Sequence, residues 1–94
     1  MTTSQPQTAL TIDPAELGTL ELGDLWVPYA DLYDAPFMPT RITVGADEYA
    51  FHSSIIEKGH GALLPGRVRE LREQGKRPLI IERGDRYYVF VTPP

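Results

Sequence analysis

Prolines at 28, 36 and 39 crowd the stretch from Leu25 to Pro39 and limit what this part of the chain can become. Inside a helix a proline removes a hydrogen bond and clashes with the preceding turn, and inside a sheet it cannot donate to the ladder. The run Leu-Trp-Val-Pro-Tyr-Ala-Asp-Leu-Tyr-Asp-Ala-Pro-Phe-Met-Pro therefore predicts neither a long helix nor a central strand. It reads as an extended apolar segment that wraps the domain, with one helical turn around residues 29–33. Trp26, Tyr29, Tyr33 and Phe37 all fall within it, and such side chains carry much of the energy of protein interfaces. Just upstream, Asp13-Pro14 has the form of an N-cap followed by proline at the first helical position, which predicts a short turn before Gly18.

Downstream the periodicity is plainer. Arg41-Ile42-Thr43-Val44 is β-branched and alternates, Gly45-Ala46-Asp47 makes a turn, and Tyr49, Phe51, Ser53 and Ile55 share one face of a second strand. Residues 64–75 carry the best helix signal. Pro65 sits in its first turn, Val68 and Leu71 share a face, Arg69 and Glu73 are spaced for an i,i+4 pair, and Gly75 supplies the stop. Residues 78–82 and 87–91 form a second hairpin across Arg83-Gly84-Asp85-Arg86. The predicted fold is thus α+β: a β-hairpin, a helix and a β-hairpin, the helix packed on a small antiparallel sheet, with an N-terminal proline and aromatic wrapping segment. At 94 residues one domain is expected. Residues 1–8 would be a flexible tail, 9–40 the wrapping arm and 41–94 a ββαββ unit.

The net charge of −4 conceals two unlike halves. Residues 1–56 carry Arg41 alone against eight acids, a net −7, whereas residues 57–94 carry eight cations against five acids, a net +3. Such asymmetry points to a basic face for an anionic partner and an acidic segment for a second one. The absence of cysteine excludes disulfides and thiolate chemistry and fits a cytoplasmic protein. No apolar run reaches the length of a membrane span, and the N-terminal residues lack the pattern of a signal peptide.

Catalytic and metal chemistry find little support. The two histidines, His52 and His60, fit no metal-ligand spacing, so no metal or other cofactor is expected. In a strand His52 points away from Ser53. It shares a face with Ser54, but nothing marks a third group that would orient a nucleophile. Gly59, Gly61 and Gly66 do not form a phosphate-binding loop. No catalytic residue is assigned, and the chain reads as a non-enzyme. The strongest constellation is basic: Arg67, Arg69, Arg72, Lys76 and Arg77 lie within eleven residues, and Arg83 and Arg86 flank the following turn. Such a set can contact several phosphates, with an affinity that falls steeply with salt.

The run Leu64-Pro-Gly-Arg-Val-Arg-Glu-Leu-Arg-Glu-Gln-Gly75, then Lys-Arg-Pro-Leu-Ile-Ile-Glu-Arg-Gly84, then Tyr-Tyr-Val-Phe-Val91, resembles the N-terminal domain of Phd/YefM-type antitoxins. The resemblance covers about 30% of the chain and implies a dimer that binds operator DNA through its basic face and a toxin through an acidic arm. Carried over by position, Arg67, Arg69 and Arg83 would face DNA. Two features depart from that family: Gly59 and Gly61 stand where it has its first helix, and the acidic arm here precedes the basic unit. Lys58-Gly59, Leu64-Pro65 and Arg69 also look like the swapped-hairpin AbrB/MazE pattern. The leading expectation is an antitoxin-like or phage/plasmid-type regulator, a homodimer that uses residues 67–86 for DNA and the arm at Trp26, Tyr29, Tyr33 and Phe37 for a protein partner. The alternative is a non-enzymatic protein-binding inhibitor or immunity-type adaptor with no nucleic-acid role, whose acidic half caps a basic target.

Overall fold

Three two-residue turns organise the chain. Gly23-Asp24, Gly45-Ala46 and Gly84-Asp85 each join directly paired strand ends, Leu22 with Leu25, Val44 with Asp47 and Arg83 with Arg86. Their glycines take φ of 68°, 60° and 63°. Tight hairpins require a positive φ at this position, and glycine adopts it without strain.

The computed structural model describes residues 9–35 and 39–92. Among them β1 (Ala9–Ile12), β2 (Gly18–Leu22), β3 (Leu25–Asp31), β4 (Arg41–Val44), β5 (Asp47–Glu57), β6 (Pro78–Arg83) and β7 (Arg86–Val91) form one seven-stranded sheet in the order β1-β4-β5-β7-β6-β3-β2. β1 lies parallel to β4 and β3 parallel to β6, and the other neighbours are antiparallel. A 3-10 turn (Pro14–Glu16) links β1 to β2, where Asp13 Oδ1 accepts the Ala15 N–H at 2.9 Å. A 3-10 segment (Lys58–Leu63) leads from β5 into helix α1 (Leu64–Glu73). The helix closes on Gly75 at φ 79°. There the Gly75 N–H donates to the Arg72 carbonyl and the Lys76 N–H to the Leu71 carbonyl, each at 3.0 Å, which is the Schellman pattern.

This corrects the predicted architecture. The sheet is seven-stranded, mixed and curled into a half-barrel, not a small antiparallel sheet under a helix. The described part of the predicted wrapping arm supplies three of its strands, including β3 between β2 and β6. Pro28 is tolerated in β3 for a local reason. The turn at Gly23-Asp24 makes Leu22/Leu25 and Leu20/Val27 the hydrogen-bonded pairs, so Thr19/Pro28 is a pair that exchanges no bonds. On the other side the ladder to β6 begins at Tyr29, one residue later. The missing N–H therefore falls at the start of the β6 ladder and interrupts neither pairing. Phe37 and the predicted tail at residues 1–8 lie outside the described residues.

Connectivity demands the curl. β1 and β2 occupy opposite edges, yet only the six steps from Ile12 to Gly18 join them. Six residues reach about 21 Å at most, whereas six inter-strand spacings of a flat sheet measure about 29 Å. The concave face accordingly gathers Ile12 from one edge strand with Ala30, Ile42, Val44, Tyr49, Leu79, Ile81 and Phe90 in a single cluster, and Leu17 of the linker packs on it. On the convex face α1 buries Leu64, Val68 and Leu71 against Val27, Ile56, Ile80, Val89 and Val91. β6 is therefore buried on both sides, which accounts for the uninterrupted run Pro78-Leu79-Ile80-Ile81.

Candidate functional site

Arginine guanidinia on an exposed helix reach whatever acceptor is nearest, and here those acceptors belong to the protein. Arg67 pairs with Glu70 at 2.6 Å, and Arg69 pairs at 2.9 Å with Asp24 in the β2–β3 turn rather than with Glu73. Arg72 donates to the Trp26 carbonyl at 2.6 Å. Arg77 pairs with Asp47 at 2.8 Å, and its backbone N–H donates to Thr92 Oγ1 at 3.1 Å. Arg83 is half-buried and donates to the Ala35 carbonyl at 3.0 Å, while Arg86 is exposed across the turn from it. Lys76 is half-buried beside the helix end. β6 separates Arg77 from Arg83, a span of about 20 Å for six extended residues. The seven cations are thus spread over three places, the outer face of α1 and the two ends of β6.

The aromatic candidates also divide. Trp26 and Tyr29 are three residues apart on β3 and so lie on opposite faces. Trp26 is 57% exposed beside the β2–β3 turn, with Glu21 as its cross-strand neighbour. Tyr33 is exposed beyond the far end of β3, its N–H held by Asp31 Oδ1 at 2.9 Å.

Tyr29 is half-buried and enters a network that sequence reasoning did not find. Its hydroxyl donates to Glu82, whose other carboxylate oxygen accepts from Lys58. Hydrogen bonds from Lys58 and then Tyr29 hold the Glu82 carboxyl below the ordinary carboxylate range. The same contact with Glu82 raises the Lys58 ammonium, and together with burial it raises the Tyr29 phenol. The network borders a depression of about 280 Å³ lined by Asp31, Tyr33, Lys58, Glu82, Gly84 and Asp85. Lys58 sits one residue beyond β5 and Glu82 near the end of β6, a pairing that only the sheet order creates.

This network predicts an acid limb. Below an unfolded carboxylate value near ~4.3, the unfolded chain takes up a proton at this side chain before the native state does. The contribution of Glu82 is therefore complete above that value and is lost as pH falls through the lower native one. Urea midpoints measured across this acidic range should fall less steeply for Glu82→Gln than for the parent. Superimposable limbs would show that Glu82 contributes nothing to acid stability.

A second feature escaped the sequence reading, a groove of about 610 Å³ between α1 and the outer edge of β5, lined by Ser54, Ile55, Ile56, Leu63, Gly66, Arg67 and Glu70. Ile55 is 49% and Leu63 63% exposed. The adjacent pair Leu63-Leu64 was the available signal, because the start of one helix can turn only one of two neighbouring leucines inward. His52 Nδ1 and Ser54 Oγ lie 3.2 Å apart, and among the described residues no third group holds that ring. Among the described residues no cluster of His, Asp and Glu is arranged to hold a metal, and no helix is long and apolar enough to cross a membrane.

Fold and surface together define a class, a curled mixed-sheet domain with one helix on its convex face, a filled concave face, and large apolar side chains left at its rims. No family model, curated protein or solved structure matches the chain.

Proposed function

We propose that this domain is a non-enzymatic protein-binding module whose recognition surface is the β2–β3 hairpin around Trp26. The observation that carries this reading is the exposure of Trp26 on a hairpin tied to α1 at two points, Arg69 to Asp24 and Arg72 to the Trp26 carbonyl. A large aromatic held on a rigid element loses little conformational freedom on binding, which favours it as an anchor. Glu21, the cross-strand neighbour of Trp26, makes the surroundings acidic, so the partner that fits presents an aromatic-sized pocket bordered by a basic side chain. The operator-binding reading of residues 67–86 draws less support, because Arg67, Arg69 and Arg77 are each paired with a carboxylate within the chain.

Two titrations separate these readings. Anisotropy of labelled duplex DNA at roughly 50 and 200 mM salt should show no steeply salt-dependent binding. Immobilised protein should retain a basic partner that Trp26→Ala loses by about thirtyfold or more, the scale of an interface hot spot. DNA binding that charge reversal at Arg67, Arg69 and Arg72 abolishes would overturn the proposal in favour of the regulator.

A further inference from the structure

Among the described residues, the edge of β5 is left open for half its length. β4 covers β5 only from Asp47 to Ala50, with one further bond from the Phe51 N–H to the Thr40 carbonyl. A bulge between Phe51 and Ser54 then separates the remainder of β5 from the line of β4. From Ser54 to Glu57 the strand pairs with β7 on its inner side, and among the described residues no strand pairs with its outer side. The alternation of the ladder identifies the groups left facing out. The turn at Gly84-Asp85 makes Arg83/Arg86 and Ile81/Tyr88 the bonded pairs of β6 and β7, so Tyr87 and Val89 turn their backbone groups to β5. Their partners Ile56 and Ser54 face inward, and the N–H and C=O of Ile55 and Glu57 face outward.

Natural sheets guard such an edge with charged side chains, proline or a bulge; here the bulge lies before the open stretch, which carries one charge, Glu57. The residues here are Ser54-Ile55-Ile56-Glu57. The edge is instead flanked by the exposed Ile55 and Leu63 and by the groove beneath Arg67 and Glu70.

We infer that this edge is a homodimer interface, in which β5 of two copies pair antiparallel across a two-fold axis. The outward groups are self-complementary. With Ile55 opposite the partner subunit's Glu57, and Glu57 opposite the partner subunit's Ile55, both sets of outward donors and acceptors are satisfied and none is left over. The flank is self-complementary as well. Arg67 and Glu70 already pair with each other and leave the groove without net charge, so nothing there selects a charged foreign strand. A two-fold axis normal to the sheet runs the two copies of α1 antiparallel on the same side of the joined sheet. Ile55, paired with Tyr88, lies on the concave side beside the partner subunit's Glu57, while Leu63 stands at the edge on the helix side. The inference is independent of the Trp26 reading, because β3 lies three strands from β5, about 14 Å across the sheet.

Ile55→Pro is a selective test. The Ile55 N–H points outward, so proline there blocks the edge without removing a bond to β7. Leu63→Asp charges the groove wall at an exposed position and provides a second variant that leaves the core untouched. Sedimentation equilibrium over about 1–500 µM should show the parent protein dimerising, with each variant at least about tenfold weaker and still cooperatively folded. Hydrogen exchange of the Ile55 and Glu57 amides in the parent should slow as concentration rises. A parent protein monomeric throughout that range would overturn the inference. So would a dimer indifferent to both variants, or one whose Ile55 and Glu57 amides exchange as fast as in the monomer. None of these results bears on Trp26, whose own capture experiment stands apart.

Discussion

Replacing Leu71 with aspartate is expected to abolish cooperative folding. Leu71 is fully buried between α1 and the convex face of the sheet, among Val27, Ile80 and Val89. No basic side chain belongs to that cluster, so the carboxylate would have to remain charged without a partner or be protonated at the expense of folding. Either route costs on the order of 5 kcal/mol, comparable to the roughly 5–15 kcal/mol that holds a domain of this size together. Val68→Asp, equally buried one helical turn earlier, should behave alike. Circular dichroism with urea titration provides the test, and Leu71→Ala, which leaves a cavity but no charge, should lose about 2–5 kcal/mol and remain folded. A soluble Leu71→Asp protein with an unchanged midpoint would place this face of α1 outside the core.

The second large effect concerns the opposite face of the sheet. Phe90→Ala should destabilise by about 3–5 kcal/mol, because Phe90 is fully buried on the concave side, where its ring meets Phe51 with centroids 5.6 Å apart. A sheet covered by a helix on one face only would leave this side to solvent, and the same substitution would then cost little. Equilibrium unfolding of Phe90→Ala beside Val89→Ala therefore weighs the two faces against each other. A loss below about 1 kcal/mol for Phe90→Ala would show that the curl does not enclose a second core.

The second half of the chain was largely legible because its signals are local. Pro65, the spacing of Val68 and Leu71, and Gly75 bound a helix that the structure places at Leu64–Glu73. Gly45 and Gly84 announce their hairpins in the same way. Gly23-Asp24 carries the same signal, but its hairpin needs a strand through Pro28, and proline reads as a strand breaker unless its partner across the ladder is known. Whether Pro28 breaks anything depends on its pairing with Thr19 and on where the β6 ladder begins, and neither is a property of nearby sequence.

The candidate sites divide along the same line. Trp26 was legible as a residue type, but its separation from Tyr29 follows from their parity on a strand that was expected to be an extended wrapping segment with a helical turn. The clustered basic residues looked like one surface because they are close in sequence. Their acceptors Asp24, Asp47 and Ala35 come from elements 30 to 48 residues away, and no local pattern could name them.

By itself, then, the sequence determined the turns at Gly45 and Gly84, which residues form the helix, and that thiol chemistry is excluded. Each of these rests on the conformational range of a residue and its immediate neighbours. The tertiary structure alone decided that seven strands curl into a half-barrel, that both faces are buried, that Arg67, Arg69, Arg72, Arg77 and Arg83 are held by acceptors within the chain, and that among the described residues half of β5 keeps an open edge. All four depend on which distant strands share backbone hydrogen bonds, and every strand carries the same donors and acceptors whatever its side chains.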